Sequence, residues 1–192
     1  VTPQQALAWA AASGTGGVAA LALCAGPTTA LLGAGTIGLY AGVYTPMKPR
    51  TSYNTWVGAV VGAIPPLMGW TSAGASLVTP EALVLSSALF LWQIPHFMAL
   101  AWMYRADYAA GGYRMVPLTD PTGRATSEIC LRYSLYLSAL PVGCWATGVT
   151  SFMFAVESIA FNGLMVAAAL AVYRRHGARG PPHARRRFSA CL

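Results

Sequence analysis

Two short polar segments and one histidine hold most of the groups in this chain that can do chemistry. The first segment, YTPMKPRTSYN, carries Lys48 and Arg50 and ends at Asn54; the second, RADYAAGGYRM, carries Arg105, Asp107, Tyr108 and Arg114. Arginine presents a planar fork of donors and lysine a compact point charge, and both suit the oxygens of a phosphate group. Asp107 is a hard oxygen donor of the kind Mg²⁺ takes when one or two carboxylates share it with a substrate's phosphates. Together these residues can clamp an anionic head group. They also admit a plainer reading, in which Lys48 and Arg50 anchor a membrane loop and Asp107 pairs with Arg105, Arg114 or Lys48.

The histidine, His96, stands in the apolar stretch LWQIPHFMALAWMY. Ionisable groups in such a stretch are costly and usually face a cavity or a partner. His96 can ligate a metal such as haem iron, act as an acid or base, or bond a carbonyl released by the neighbouring Pro95. Gln93, one turn earlier, is a candidate partner or a further cavity-lining group. If one helix runs on through Asp107, then His96 and Asp107 share a face about three turns apart, ~16 Å along the axis. Such a stripe would touch both ends of a long amphipathic ligand.

The elements that must position these groups follow from composition. Of 192 residues, 56% are hydrophobic and only 9% charged, with a mean hydropathy of +0.52, which is the composition of a bilayer protein. Windows of about 20 residues with no charge, or in the last case Glu157 alone, recur near 5–24, 28–46, 54–72, 82–104, 133–150 and 154–173. They predict an all-α, polytopic transmembrane bundle with six spans. The net charge of +7 does not indicate nucleic-acid binding, because six spans place all 12 Lys and Arg in the 47–53 loop, the 105–132 loop and the C-terminal tail, on one side. That is the positive-inside distribution. The opposite connections carry no cation, and Glu81 and Glu157 lie at or near them.

Glycine and alanine crowd the first two spans, in SGTGGVAALALCAG and LLGAGTIGLYAG, where small side chains let membrane helices approach closely. Gly14, Gly16 and Gly17 do not make a nucleotide loop, since no strand precedes them. Pro65 and Pro66 interrupt the third span and Pro95 the fourth; each removes a backbone donor and bends or breaks a helix. Carbonyls released at that depth need protein or a lined cavity around them, and two bends beside an intramembrane histidine point to a cavity. Cys24, Cys130, Cys144 and Cys191 form no CxxC pair, so neither a disulfide framework nor a zinc site is expected. The chain divides into a membrane domain over 1–173 and a basic tail over 174–192, expected to be disordered at the membrane surface, with Arg185 to Arg187 able to attract anionic lipid. It opens at Val1 with no initiator methionine and no charged leader, and reads as a piece of a longer protein.

Three separated blocks then carry a resemblance: YTPMKPRTSYNTWVGAVVGAIPPLMGW, WQIPHFMALAW and RADYAAGGYRMVPLTDPTGR. In this order they resemble the haem O synthase, or protoheme IX farnesyltransferase, family of intramembrane prenyltransferases, over about residues 1–173. The DYAAGGYRM and DPTGR forms are most similar to mitochondrial members. The resemblance implies a nine-helix bundle in the mitochondrial inner membrane, or in the cytoplasmic membrane of a bacterium, that transfers the farnesyl group of farnesyl diphosphate to a vinyl group of haem B, giving haem O. It implies that Asp107 belongs to the second acidic motif, which organises Mg²⁺ and diphosphate, and that His96 is a catalytic-site candidate for haem contact. Lys48 and Arg50 fall in the basic loop for the diphosphate, with Arg105 and Arg114 beside the acidic motif; Tyr108 and Asn54 are further substrate-binding candidates. The family's first acidic motif lies upstream of Val1 and its last helices are replaced here by the tail, so this chain alone is expected to be inactive.

Two other functions fit the same residues. A prenyltransferase acting on a quinone precursor would use the same clamp and a different acceptor. A transporter or channel subunit would use kinked helices and a cationic mouth without converting its cargo.

Overall fold

The computed structural model describes residues 1–178, and every regular element among them is helical. Helix α1 (Pro3–Cys24) starts where Thr2 accepts from the Gln5 amide while the Gln5 side chain accepts from the Thr2 amide, with Pro3 in the first turn, where no amide donor is needed. Gly26 turns the chain at φ 91°, and Pro27 begins α2 (Pro27–Gly38). Helix α2 widens into a π-helical stretch, Leu39–Tyr44, and closes with one α-turn, α3 (Thr45–Met47). Such stretches are rare and concentrate at functional sites. This one leads directly to Lys48.

Helix α4 (Asn54–Ser72) returns through the bundle, and α5 (Pro80–Met103) comes back, capped by the Thr79 hydroxyl on the Ala82 amide. Two short helices, α6 (Arg105–Ala110) and α7 (Val116–Thr119), form the following connection. Helices α8 (Arg124–Ala146) and α9 (Phe152–Ala178) complete the described chain. The long helices pack in chain order, α1 on α2, α2 on α4, α4 on α5, α5 on α8 and α8 on α9, so α5 lies at the centre. Its Ile94, Met98, Ala99 and Trp102 form the core with Ala59 of α4, Cys130 of α8 and Ala169 and Val172 of α9.

Helices α1, α5 and α9 are long and apolar enough to cross a membrane, and the protein is an all-α, polytopic membrane bundle. Large apolar side chains point outward on the end helices, among them Leu7, Trp9, Phe161 and Leu164. Lipid is as apolar as leucine, so helix association rests on close packing and on polar ties worth about 0.6 kcal/mol each. Both are present. A Cβ on Gly33 would stand 2.7 Å from Leu21 and 3.3 Å from Met68, which fits the close-packing role expected of small residues, whereas Gly16 and Gly17 have nothing within 4 Å. Thr29 and Thr71 share a buried hydrogen bond of 2.8 Å, Trp56 donates to the Tyr133 hydroxyl at 2.7 Å, and Ser86 donates to the Ala63 carbonyl at 3.0 Å.

Several expectations change. Pro65, Pro66 and Pro95 sit inside helices that continue through them, so none is a break. Helix α8 begins at Arg124, nine residues ahead of its apolar window, because Arg124, Glu128 and Arg132 hide its first turns from a hydropathy reading. Helix α9 runs on to Ala178, taking in the first residues after 173; Arg175 and His176 occupy the last turn, where cations favour the helix dipole. Arg185 to Arg187 and Cys191 lie outside the described residues. No disulfide forms among those described.

Candidate functional site

The two polar segments meet at one end of the bundle. The Arg114 amide donates to the Lys48 carbonyl at 2.8 Å, and the Arg114 guanidinium reaches the Arg50 carbonyl at 3.5 Å. Asn54 closes the junction, its side-chain amide donating to the carbonyls of both Thr51 and Arg114. It is only 2% exposed, so in this arrangement it ties the loops together from beneath. Lys48, Arg50 and Arg114 are thereby gathered at one rim, Lys48 half-buried and the two arginines exposed.

Among the described residues no carboxylate pairs with these cations; the ion pair present is Arg132–Glu128 at 2.9 Å, an exposed contact within α8. The Lys48 ammonium instead lies over the rings of Tyr44, Tyr40 and Tyr113, at 4.6, 5.3 and 5.8 Å from their centroids. The Arg105 guanidinium lies 4.7 Å from the Trp102 ring. Asp107, in the first turn of α6, is exposed and forms no ion pair with Arg105, Arg114 or Lys48. Tyr108 packs against the edge of Tyr113 at 5.3 Å, and burial, reinforced by Tyr113, pushes its hydroxyl pKa up, which keeps the proton on a potential donor. The rim therefore holds cations whose charge is not neutralised and one accessible carboxylate.

His96 is placed differently. Helix α5 ends at Met103 and the chain changes direction at Tyr104 (φ −106°, ψ 29°), so His96 and Asp107 do not share one helical stripe. The imidazole stacks on Trp92 at 4.9 Å, and its Nδ1 is buried with no hydrogen-bond partner. It does not bond a released carbonyl. Nor is Gln93 its partner, because the Gln93 amide donates to the carbonyls of Ala59 and Leu89 at 3.2 and 3.1 Å, clasping α5 to α4.

Among the described residues no three metal-binding side chains converge. A single exposed carboxylate still suits Mg²⁺, which keeps several waters and takes few protein ligands when a diphosphate supplies the rest. Asp107 fits as one such ligand.

Comparison with known proteins identifies the family. The profile of the UbiA prenyltransferase family matches residues 1–191. The chain belongs to that family. Among curated relatives, the chain is 43% identical over 187 residues to the mitochondrial protoheme IX farnesyltransferase of Arabidopsis thaliana, covering 96% of this chain and 43% of that protein. It is 46% identical to the protein of the same name from Yarrowia lipolytica over 86% of this chain and 35% of the relative, and 41% identical to that of Homo sapiens over 84% and 36%. The chain thus spans about two fifths of the length of these relatives. No solved structure matches it. The family match runs through the tail, beyond the residue 173 at which the motif resemblance stops.

The UbiA chain also contains a buried carboxylate, the Asp of the DPTGR form, to which the sequence reading gave no role. Asp120 is 7% exposed and accepts from the Gly123 amide at 2.9 Å, the Thr122 hydroxyl at 3.1 Å, and the Thr126 amide and hydroxyl at 2.8 and 2.9 Å. Burial alone would raise its pKa, but these donors outweigh burial and hold it below the ordinary carboxylate value. It sits at the N-terminus of α8, where an anion meets unpaired amides and the positive end of the dipole. The sequence signal was weak, because Asp120 stands three residues before Gly123, the N-cap of α8, and not at the N-cap position itself.

Proposed function

We propose that the full-length protein transfers the farnesyl group of farnesyl diphosphate to haem B, giving haem O for cytochrome oxidase, in the mitochondrial inner membrane. The observation that carries this reading is the junction of Arg114 with Lys48, which sets cations and one carboxylate at the rim of an apolar bundle. The names of the relatives supply the acceptor and the compartment.

Departure of diphosphate builds negative charge on the leaving group while the prenyl carbon becomes cationic; that carbon bonds to the terminal carbon of the haem vinyl group, and the cation left on the inner vinyl carbon is closed by a water molecule that adds its oxygen and gives up a proton. Lys48, Arg50, Arg105 and Arg114 hold the diphosphate oxygens and stabilise the charge that grows on them. Asp107 is a ligand for Mg²⁺ shared with the diphosphate; when bound, the metal supplies further charge stabilisation to the leaving group. The apolar faces of the helices keep water from the prenyl cation. Tyr108 lies beside this cluster as a hydroxyl donor. Asn54 serves the substrate indirectly, by fixing the carbonyls of Thr51 and Arg114. His96 is the haem-side group, its half-buried ring held by Trp92 and its Nδ1 unengaged by the protein.

The 192-residue chain by itself is inactive in this proposal. It spans about two fifths of the length of the relatives named above, and Asp107 is the one carboxylate this reading assigns to the metal. The test is conversion by the full-length protein in nanodiscs, given haem B, farnesyl diphosphate and Mg²⁺, with products resolved by mass spectrometry. Haem O is the expected product. Turnover with a quinone precursor and none with haem would reassign the acceptor, and flux without conversion in proteoliposomes would make it a transporter.

A further inference from the structure

Space has been made for the rings around Lys48. A Cβ on Gly58 of α4 would stand 2.8 Å from the Tyr44 ring, and one on Gly111 would stand 3.0 Å from the Tyr113 ring. Each ring is also braced by a neighbour, Tyr44 by Tyr40 at 5.3 Å and Tyr113 by Tyr108 at 5.3 Å. The hydrogen bond from the Arg114 amide to the Lys48 carbonyl holds the loop bearing Tyr113 against the turn bearing Lys48. Rings from two separate segments therefore converge on one ammonium, with no carboxylate in ion-pair range among the described residues.

The absence of a counter-ion there matters for binding. A carboxylate would restrain the ammonium but cancel its charge. The face of an aromatic ring attracts a cation through its quadrupole and adds no net charge. A long, rotamer-rich side chain is restrained in advance, which reduces the ordering cost at binding, while its full charge remains for an incoming anion.

We propose that Tyr113, with Tyr40 and Tyr44, is a positioning residue that pre-orients Lys48 for the diphosphate, and that Tyr113 makes this orientation depend on the second loop being in place. Gly58 and Gly111 are required so that the rings can close on the ammonium. This inference rests on the diphosphate-binding reading above.

The test titrates inorganic pyrophosphate, in Mg²⁺ buffer, into the full-length protein in nanodiscs, comparing wild type, Tyr113→Leu, Tyr113→Phe, Lys48→Met and the Lys48→Met/Tyr113→Leu double variant. Tyr113→Leu is expected to weaken pyrophosphate binding about fivefold, and Tyr113→Phe, which keeps the ring face, to recover most of it. With Lys48→Met already present, Tyr113→Leu is expected to add less than about twofold, because its effect acts through the ammonium. An equal loss from Tyr113→Leu in both backgrounds would show a structural role and overturn the proposal. So would a loss from Tyr113→Phe as large as from Tyr113→Leu, no loss from Tyr113→Leu, or no pyrophosphate binding by wild type. Farnesyl transfer by the same wild-type preparation is scored separately, so failure to make haem O with pyrophosphate coupling intact refutes the acceptor assignment and leaves the tyrosine box standing.

Discussion

The side chain of Asn54 donates to the carbonyl of Arg114, joining the first residue of α4 to the loop between α6 and α7. This contact fixes the distance between the two halves of the cationic rim. Asn54→Ala would remove the side-chain donor to the Arg114 carbonyl, while the Thr51 carbonyl keeps the Asn54 backbone amide at 3.4 Å, at a cost of about 1 kcal/mol for a part-buried bond. The expected outcome is a lower unfolding midpoint in detergent together with weaker pyrophosphate binding. Unchanged pyrophosphate affinity in a folded variant would show that the rim does not depend on this tie.

Asp120 predicts a pH dependence with a definite sign. Its pKa is lowered in the fold by the donors of Thr126, Thr122 and Gly123, which outweigh burial, so its stabilising contribution is fully present above the ordinary carboxylate value. It is lost as pH falls through the lowered folded value. Unfolding midpoints of wild type and Asp120→Asn, measured from neutral pH downward, should therefore differ most at neutral pH and converge in acid. Curves that stay parallel would remove Asp120 from the pH response.

Gly123 should not tolerate a side chain. It sits at φ 74°, and a Cβ there would lie 2.5 Å from His176 and 2.6 Å from Trp102. The left-handed conformation costs a non-glycine residue about 1–2 kcal/mol, and forced overpacking typically costs a further 1–3 kcal/mol. Gly123→Ala is expected to lower stability by about 2–5 kcal/mol, measured by thermal unfolding in detergent. A loss below about 0.5 kcal/mol, the scale of an ordinary surface change, would mean that the end of α9 does not pack on this turn as described.

Much of the architecture was legible because a bilayer writes it into composition. Apolar windows marked the long helices, and the one-sided distribution of Lys and Arg anticipated that the segments around Lys48 and Asp107 would share an end. Short-range polar geometry was harder to read. The apolar run from Leu91 gives no warning of the turn at Tyr104, so His96 and Asp107 looked coaxial. Pro141 passed unnoticed inside α8, and so did its compensation: it cannot donate to the Leu137 carbonyl, which Asn162 of α9 approaches at 3.5 Å. Gln93 and Asn54 looked like groups aimed at ligands, yet each is bonded to carbonyls on another segment, a pairing that only the packed helices disclose. Tyr40 and Tyr44 stand at four-residue steps before Lys48, a helical spacing that relates them, but Tyr113 comes from a distant segment that only the packed loops bring to the ammonium.

The most direct measurement is haem O formation by the full-length protein carrying Asp107→Asn, at saturating haem B and farnesyl diphosphate and with Mg²⁺ present. Asp107 is exposed and without an ion pair, so the change should leave the fold intact. Loss of one charge-stabilising contact at the leaving group is expected to lower turnover by about 10²–10³-fold, with an unfolding midpoint close to wild type. Turnover within about threefold of wild type, under half a decade on the scale set by such contacts, would contradict the assignment of this rim as the diphosphate site.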